Sequence, residues 1–220
     1  MSKYKLIINL KNYEESTNQN AIKIAKICKK LAKVAKTKDV EIILCPSILD
    51  LKDVVKQKVQ VFSQHIDDYN YGAHTGYIIP SAIKKAGAIG TLINHSEHRL
   101  TLKKIENEIK IAKELKLLSC VCTRNVKETE KIAKLNPDFI AIEPKELIGG
   151  EISISTAKPE LIKNSVKASK KIQLLAGAGV KNSLDVKTAI KLGSKGILVA
   201  SGVVKSKNIE KTIKELLSGF

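Results

Sequence analysis

An apolar run in the middle of the chain ends in a dense group of polar residues that could do acid-base chemistry. Residues 88–94 form this run, and His95, Glu97 and Arg99 follow directly after it. A short apolar run bounded by turn signals is typical of a buried strand, which would place His95 at the strand's carboxyl end. Parallel α/β folds put their active sites there. A lone histidine after a strand is more often structural, so a catalytic role for His95 requires other groups nearby.

Two other apolar runs end in side chains that could complete such a site. The first run of the chain ends with Asn9 and Lys11, which would point to the same side because side chains alternate along a strand. A later run leads directly into Glu143, followed by a proline that restricts the exit of the chain. A cation, an imidazole and a carboxylate could act as charge stabiliser, hydrogen-bond donor and base in a proton transfer. The alternatives are a solvated lysine and a carboxylate that caps the next helix.

These strand ends would meet if the whole chain folds as one barrel. Apolar runs typical of strands alternate with segments of helical period, such as 20–36 and 102–115. The runs lie near 5–9, 40–44, 59–63, 88–94, 118–122, 139–142, 172–176 and 196–200. Eight such units predict an α/β fold, a compact (β/α)8 barrel over residues 1–220. A doubly wound open sheet is the alternative, but neither of its common glycine-rich nucleotide motifs occurs where that fold would need it.

Loops of small residues follow the last two predicted strands. Residues 177–180 read Gly-Ala-Gly-Val, and residues 200–203 read Ala-Ser-Gly-Val. Small side chains let backbone N–H groups approach an anion, and the loops after strands 7 and 8 commonly form the phosphate site of such barrels. The sequence therefore predicts a phosphorylated ligand at this end of the site.

The net charge of +17 could attract nucleic acid and small anions alike. Only Arg99 and Arg124 are arginine, so 37 of the 39 basic residues are lysine, and aromatic residues make up 4% of the chain. Lysine lacks the planar fork of arginine that clamps phosphates and reads bases, and few aromatic rings are available for stacking. We therefore expect no nucleic-acid partner and interpret the recurring lysines as solvated helix faces.

The remaining composition limits the compartment and the redox chemistry. A hydrophobic content of 43% with 28% charged residues is typical of a globular protein. No apolar stretch is long enough to cross a membrane, and the first residues lead into a strand pattern rather than a signal peptide, so we expect a cytoplasmic protein without membrane contact. The four cysteines, Cys28, Cys45, Cys120 and Cys122, show no metal-ligand spacing. We expect buried thiols, no disulfide and no metal.

Several motifs in register give the chain a resemblance to a known family. The chain resembles the triosephosphate isomerases over almost its whole length, and more closely their short archaeal branch than the longer bacterial and eukaryotic one. The resemblance rests on Asn9-x-Lys11, Gly72-Ala73-His74-Thr75-Gly76, Asn94-His95-Ser96-Glu97-x-Arg99, Glu143-Pro144 and Gly177-Ala178-Gly179. It implies a single TIM-barrel domain over residues 1–220 that interconverts dihydroxyacetone phosphate and D-glyceraldehyde 3-phosphate through an enediolate, in glycolysis and gluconeogenesis, without metal or cofactor.

The resemblance also implies a role for each site residue. Glu143 would be the catalytic base, a neutral His95 would polarise the carbonyl oxygens, and Lys11 would stabilise the enediolate and the phosphate. The other substrate-binding residues would be Asn9, which orients the substrate, and Ile148, Gly179, Ala200 and Ser201 at the phosphate. Glu97 would lie behind Lys11, and Thr75 would reach into the site of a neighbouring subunit. That role of Thr75 implies a homo-oligomer, either a tetramer as in the archaeal branch or a dimer.

The chain departs from the family pattern in two loops. The loop after Glu143, the mobile lid of the family, ends in Gly149-Gly150-Glu151 where the family usually has Gly-Thr-Gly. We expect Gly150 to lose more backbone entropy on ordering than threonine, and Glu151 to bring a negative charge near the phosphate. Tyr77 follows His-Thr-Gly at a position where many members of the longer branch have glutamate.

Two other functions are compatible with parts of this pattern. Another phosphate-binding barrel, such as a synthase of amino-acid or thiamine biosynthesis, would share the two small-residue loops but would not need Lys11, His95 and Glu143 together. A non-enzymatic basic binding protein would bind DNA or RNA tightly and in a salt-sensitive way. An isomerase assay, or stabilisation by 2-phosphoglycolate, distinguishes these alternatives.

Overall fold

The strands of the computed structural model pair in parallel and close into a barrel in the order β1 to β8, with β8 returning to β1. The structure describes residues 3–148, 150 and 153–220. The strands are β1 (Tyr4–Asn9), β2 (Val40–Cys45), β3 (Gln60–Ser63), β4 (Gly90–Ile93), β5 (Leu118–Thr123), β6 (Phe139–Ile142), β7 (Gln173–Gly177) and β8 (Gly196–Val199). This architecture confirms the predicted (β/α)8 barrel.

Helices connect the successive strands and cover the outside of the barrel. They are α1 (Gln19–Thr37), α2 (Leu51–Lys56), α3 (Pro80–Lys85), α4 (Leu102–Glu114), α5 (Val126–Ala133), α6 (Ile154–Ala157), α7 (Pro159–Ser169), α8 (Ser183–Lys191), α9 (Ser201–Val204) and α10 (Ile209–Ser218), with 3₁₀ turns at Glu14–Ser16 and Lys145–Leu147. Gly87 and Gly193 follow α3 and α8 with φ of 100° and 101°, the left-handed conformation in which a glycine commonly ends a helix.

Alternation along the strands divides the core into two layers. Inward-facing residues such as Ile7, Phe62, Leu92 and Leu198 fill the barrel, and their neighbours along the strands pack against the helices. The four cysteines are buried free thiols, as predicted. At the amino end of the strands, the buried Lys5 forms an ion pair with Glu41 at 2.8 Å. The carboxyl end of the barrel is the end that carries the polar residues singled out above.

The strand boundaries differ from the predictions by one or two residues. The run predicted as 88–94 forms a strand only at Gly90–Ile93, because Asn94 adopts a positive φ of 59° and turns the chain. Strand β8 ends at Val199, one residue before the predicted end. These early ends are what allow the following side chains to turn over the mouth of the barrel.

Among the described residues, no helix combines the length and the apolar character that crossing a bilayer requires.

Candidate active site

The polar groups predicted at the strand ends come together in one cavity at the mouth of the barrel. Asn9, Lys11, His95 and Glu143 all line it. Leu10 is fully buried in the outer core layer instead, as alternation along β1 predicts. Lys11 itself lies past the strand end with a positive φ of 51°. Its backbone N–H donates to Asn9 Oδ1 at 3.0 Å, which fixes this turn and presents both side chains to the cavity.

The imidazole of His95 is oriented by the residues around it. Asn94 turns the chain, and its side-chain amide donates to the Cys122 carbonyl oxygen at 2.9 Å. The backbone N–H of Glu97 donates to His95 Nδ1 at 3.3 Å. A ring nitrogen that accepts a hydrogen bond carries no proton, so this contact favours a neutral imidazole with its proton on Nε2. The Oε2 atom of Glu97 also lies 3.5 Å from Nδ1, but the backbone N–H is nearer and already fills this position.

The ammonium group of Lys11 is held by Glu97. Lys11 Nζ donates to Glu97 Oε1 at 2.6 Å. Burial lowers the pKa of Lys11 and is the largest single influence on it, but the hydrogen bond and charge of Glu97, with smaller contributions from Tyr13 and Glu143, raise this pKa above its ordinary value overall. Lys11 therefore stays cationic throughout the neutral range. Glu97 links the cation to the imidazole, because it contacts both.

Glu143 lies directly after β6 with its carboxylate buried beside His95. Glu143 is only 5% exposed to solvent, and its Oε2 lies 3.7 Å from His95 Nε2. Among the described residues, no group forms a hydrogen bond to this Oε2. A buried carboxylate oxygen without a partner is costly unless a ligand uses it. On β5, burial and then the charge and hydrogen bond of Glu143 raise the pKa of the Cys122 thiol.

Gly177 at the end of β7 leaves the space that the Glu143 side chain occupies. A Cβ atom at position 177 would overlap Glu143 Cγ and lie 3.0 Å from Oε1. The neighbouring register, Ile142 opposite Ala176, brings the two strand ends side by side. The glycine is therefore required by close packing against the carboxylate rather than by its own backbone conformation.

The other end of the cavity is lined by the small-residue loops. Gly179, Ala200 and Ser201 line it together with Ile148. These are the four residues that the family resemblance assigns to the phosphate. Ala178 and Gly179 adopt positive φ values of 75° and 71°, which bends the loop after β7 over the cavity. Small side chains at this point leave the backbone open to an anion.

Chemical groups and spacing of this kind also occur in known proteins. A sequence profile described as triosephosphate isomerase matches residues 5–216. The chain is 45% identical over 217 residues to the triosephosphate isomerase of Methanocaldococcus jannaschii, with 96% of this chain and 98% of the relative covered. The chain belongs to the triosephosphate isomerase family. The family protein of Methanothermus fervidus is 42% identical over 218 residues, covering 97% of each chain, and that of Archaeoglobus fulgidus is 42% identical over 217 residues, covering 96% of each.

Most of the residues that the family resemblance singled out lie in or beside this one cavity. Glu97 lies just outside it, on an adjoining cleft of about 480 Å³ that His65 and His98 also line. Thr75 lies apart, exposed on the loop between β3 and α3. It lines neither this cavity nor the adjoining cleft.

Sequence reasoning missed two residues of the cavity and its wall. Lys181 lines the cavity beside the loop after β7, and Cys122 contacts the carboxylate of Glu143. Lys181 is one of 37 lysines, and nothing in its residue type distinguishes it from the others. Its position two residues after the Gly177–Gly179 motif could have indicated that it lies near the cavity. Of the unusual lid sequence, Gly149 and Glu151 lie outside the described residues. Gly150 lies inside them and lines the cavity.

Proposed function

We propose that this chain uses Glu143, His95 and Lys11 to interconvert dihydroxyacetone phosphate and D-glyceraldehyde 3-phosphate through an enediolate. The observation that carries the proposal is the Glu143 carboxylate, buried beside the His95 ring with an Oε2 that no described residue uses. Membership of the triosephosphate isomerase family identifies the chain as an isomerase, and a role in glycolysis follows from the same membership. The further assignment to gluconeogenesis rests on the resemblance.

In this proposal, Glu143 removes a proton from the carbon next to the substrate carbonyl. The electron pair of that C–H bond forms the enediolate double bond, and the carbonyl oxygen becomes the oxyanion. The same carboxyl returns the proton to the neighbouring carbon. Meanwhile His95 gives its Nε2 proton to the former carbonyl oxygen and takes up the hydroxyl proton of the other oxygen, which becomes the new carbonyl. No net change of charge or oxidation state occurs. A carboxylate positioned for this step typically contributes about 10²- to 10⁴-fold to the rate.

The other two side chains stabilise the oxyanion. A neutral His95 donates from Nε2 toward the cavity, since Nδ1 already accepts the Glu97 N–H. Lys11 supplies a fixed positive charge whose orientation Glu97 maintains. Preorganised donors and charges of this kind are effective because they need little reorganisation as the negative charge develops. Asn9 orients the substrate, and Ile148, Gly179, Ala200 and Ser201 contact the phosphate.

We further propose that the 1–220 barrel is one domain that works as a homo-oligomer, a tetramer or a dimer. Thr75 is exposed on a loop that also presents Tyr71 and Tyr77, and Leu49 is 88% exposed on the loop after β2. Exposed apolar side chains beside an open cleft are typical of an interaction surface. Analytical ultracentrifugation of the wild type and Leu49→Lys tests this, with a smaller or weaker assembly expected for the variant. A monomeric wild type would contradict it.

The proposed reaction is tested by assaying the purified chain with D-glyceraldehyde 3-phosphate. Glu143→Gln should lower kcat by several orders of magnitude with a modest change in KM, because the base acts mainly in the transition state. Glu160→Gln is the matched control, an acid-to-amide change on the exposed side of α7, where Glu160 pairs with Lys163. Activity of Glu143→Gln within about tenfold of the wild type would remove Glu143 from this role.

A second measurement does not depend on turnover. The enediolate mimic 2-phosphoglycolate should raise the melting temperature of the wild type, because a ligand that binds only the folded state stabilises it. Another phosphate-binding barrel would respond to inorganic phosphate but would gain little from the mimic. A nucleic-acid-binding protein would respond to neither.

A further inference from the structure

Asn94 lies where β4 ends and the residues that carry the catalytic groups begin. It is 2% exposed and lines neither the cavity nor the adjoining cleft, so it does not touch a bound substrate. Its φ of 59° turns the chain directly before His95. Any effect of Asn94 on the reaction must therefore pass through the residues that it holds, which are those of the following segment, residues 95–99.

The side chain of Asn94 ties the two ends of this segment together and fastens them to β5. Its Oδ1 accepts from the backbone N–H of Leu100 at 2.9 Å, which joins the residues on either side of the segment. Its Nδ2 donates to the carbonyl oxygen of Cys122 at 2.9 Å. These partners fix the orientation of the amide, because a backbone N–H only donates and a carbonyl oxygen only accepts. Removing the amide would leave both partner groups without this bond, which is costly where they are buried.

The backbone of Asn94 is held as well. Arg99 Nη1 donates to the Asn94 carbonyl oxygen at 3.0 Å and to that of Cys122 at 3.2 Å. Glu128 in α5 lies beside both side chains, with its Oε1 3.9 Å from Arg99 Nη1 and 3.5 Å from Asn94 Nδ2. Its Oε2 accepts from the backbone N–H of Arg124 at 2.8 Å, which fixes the carboxylate. The turn before His95 is therefore fastened both to β5 and to α5.

The 95–99 segment sets the position of two catalytic groups. The backbone N–H of Glu97 donates to His95 Nδ1 at 3.3 Å, and Glu97 Oε1 accepts from Lys11 Nζ at 2.6 Å. On its other side, His95 Nε2 lies 3.7 Å from Glu143 Oε2. A displacement of the segment therefore moves the imidazole and the ammonium together relative to the base. An error of about 1 Å in such a geometry costs about 10²-fold in rate.

We propose that Asn94 is a positioning residue whose side-chain amide holds His95, and through Glu97 also Lys11, in place for the proton transfer. This inference rests on the proposed function and extends it to a residue outside the cavity. The proposed phosphate contacts lie on other parts of the chain, mainly the loops after β7 and β8. Loss of the amide should therefore lower kcat and kcat/KM to a similar extent and leave KM nearly unchanged.

The test compares Asn94→Gly with the wild type. Glycine adopts a positive φ without strain, so this variant loses the side-chain hydrogen bonds and keeps the turn. Asn136→Gly is the matched control, because Asn136 is an exposed asparagine with φ of 55° between α5 and β6, at the amino end of the barrel. With D-glyceraldehyde 3-phosphate, Asn94→Gly should lower kcat by about tenfold or more with KM within about twofold. Asn136→Gly should leave both constants unchanged.

Asn94→Asp is a second variant that keeps the size of the side chain and the acceptor for the Leu100 N–H. It replaces the donor to the Cys122 carbonyl by a carboxylate oxygen, close to the acidic Glu128. It should therefore lower kcat at least as much as Asn94→Gly. Urea unfolding gives the folded fraction of each variant, and kcat is expressed per folded molecule. If Asn94→Gly does not fold, Asn94→Asp decides.

Two further measurements separate positioning from a general loss of structure. In nitrogen NMR, the neutral His95 ring should carry its proton on Nε2 in the wild type and on either nitrogen in Asn94→Gly, because the Glu97 N–H is no longer held against Nδ1. The inhibition constant of inorganic phosphate should stay within about twofold of the wild type in both variants at position 94.

A kcat of Asn94→Gly and Asn94→Asp within about threefold of the wild type would overturn the inference, and so would equal losses of kcat and of phosphate affinity. A wild type without isomerase activity would refute the proposed function instead. In that case the proton position on the His95 ring, compared between the wild type and Asn94→Gly, would still decide whether Asn94 positions the imidazole.

Discussion

Replacing Glu108 by glutamine should change how the stability of the protein depends on pH. Glu108 lies in α4 with no exposed surface, and no described residue forms a hydrogen bond to either carboxylate oxygen. Burial, followed by the charges of Asp68 and Asp67, raises the pKa of Glu108 to about 8, although the charge of Lys104 acts to lower it. The carboxyl is therefore protonated in the folded protein at pH 7 and ionised in the unfolded chain.

The sign and size of the effect follow from this difference. The ordinary pKa is 4.5, so between about pH 4.5 and pH 8 the folded state holds a proton that the unfolded state has released. The free energy of unfolding then falls as pH rises, by about 1.4 kcal/mol per pH unit. Raising a pKa from 4.5 to about 8 corresponds to at most about 5 kcal/mol. The stability that the protonated Glu108 carboxyl contributes is fully present below pH 4.5 and is lost as pH rises through about 8.

The assay is thermal or urea unfolding at pH 5, 7 and 9, at one protein concentration because assembly would shift the transition. Glu108→Gln should gain stability relative to the wild type as pH rises, because the amide cannot ionise. At about 2–4 °C per kcal/mol, the difference in melting temperature should grow by about 10 °C over this range. Glu106→Gln is the control, since exposed Glu106 pairs with Lys103 on the same helix. Parallel pH profiles for Glu108→Gln and the wild type would refute this reasoning.

Two further predictions concern the catalytic groups. Gly177→Ala should lower kcat by about 10²-fold or more with the fold retained, because the added methyl group would displace the Glu143 side chain. Steady-state kinetics measure the change in kcat, and circular dichroism checks that the fold is retained. A near-normal kcat would show that this packing does not hold the carboxylate. The neutral ring of His95 should carry its proton on Nε2, because its Nδ1 accepts the Glu97 N–H. Nitrogen NMR of the ring that shows the proton on Nδ1 would contradict this assignment.

The barrel and the catalytic groups could be predicted because each depends on local sequence. Apolar runs define the strands, and the residues just after them, such as Asn9, His95 and Glu143, are placed at the mouth by the parallel topology alone. The exact strand ends were less predictable, since they depend on residues such as Asn94 that adopt a positive φ. Asparagine tolerates this conformation better than most residues, but the sequence does not say which asparagine will use it.

Contacts between neighbouring elements could not be predicted in this way. The packing of Gly177 on Glu143 depends on the register of β6 and β7, and the path of Lys181 beside Gly202 depends on how two loops pack. Glu108 is a different case, because it lies three residues after Ile105 and next to Ile109 on the apolar side of α4. A charged residue on an apolar helix face was therefore a visible signal of burial.

The pairing of β1 with β8 has a consequence for how the protein gains its activity. Asn9 and Lys11 come from the beginning of the chain, whereas Ala200 and Ser201 come from its end, and they share a cavity because the first and last strands pair. Closing so long a segment of chain is entropically costly and depends on all the intervening strands. A nascent chain that has not released its last strand from the ribosome contains Lys11, His95 and Glu143 but no enclosed substrate site. Recovery of enzymatic turnover during refolding thus reports the closure of the ring, whereas helical circular dichroism reports only its parts.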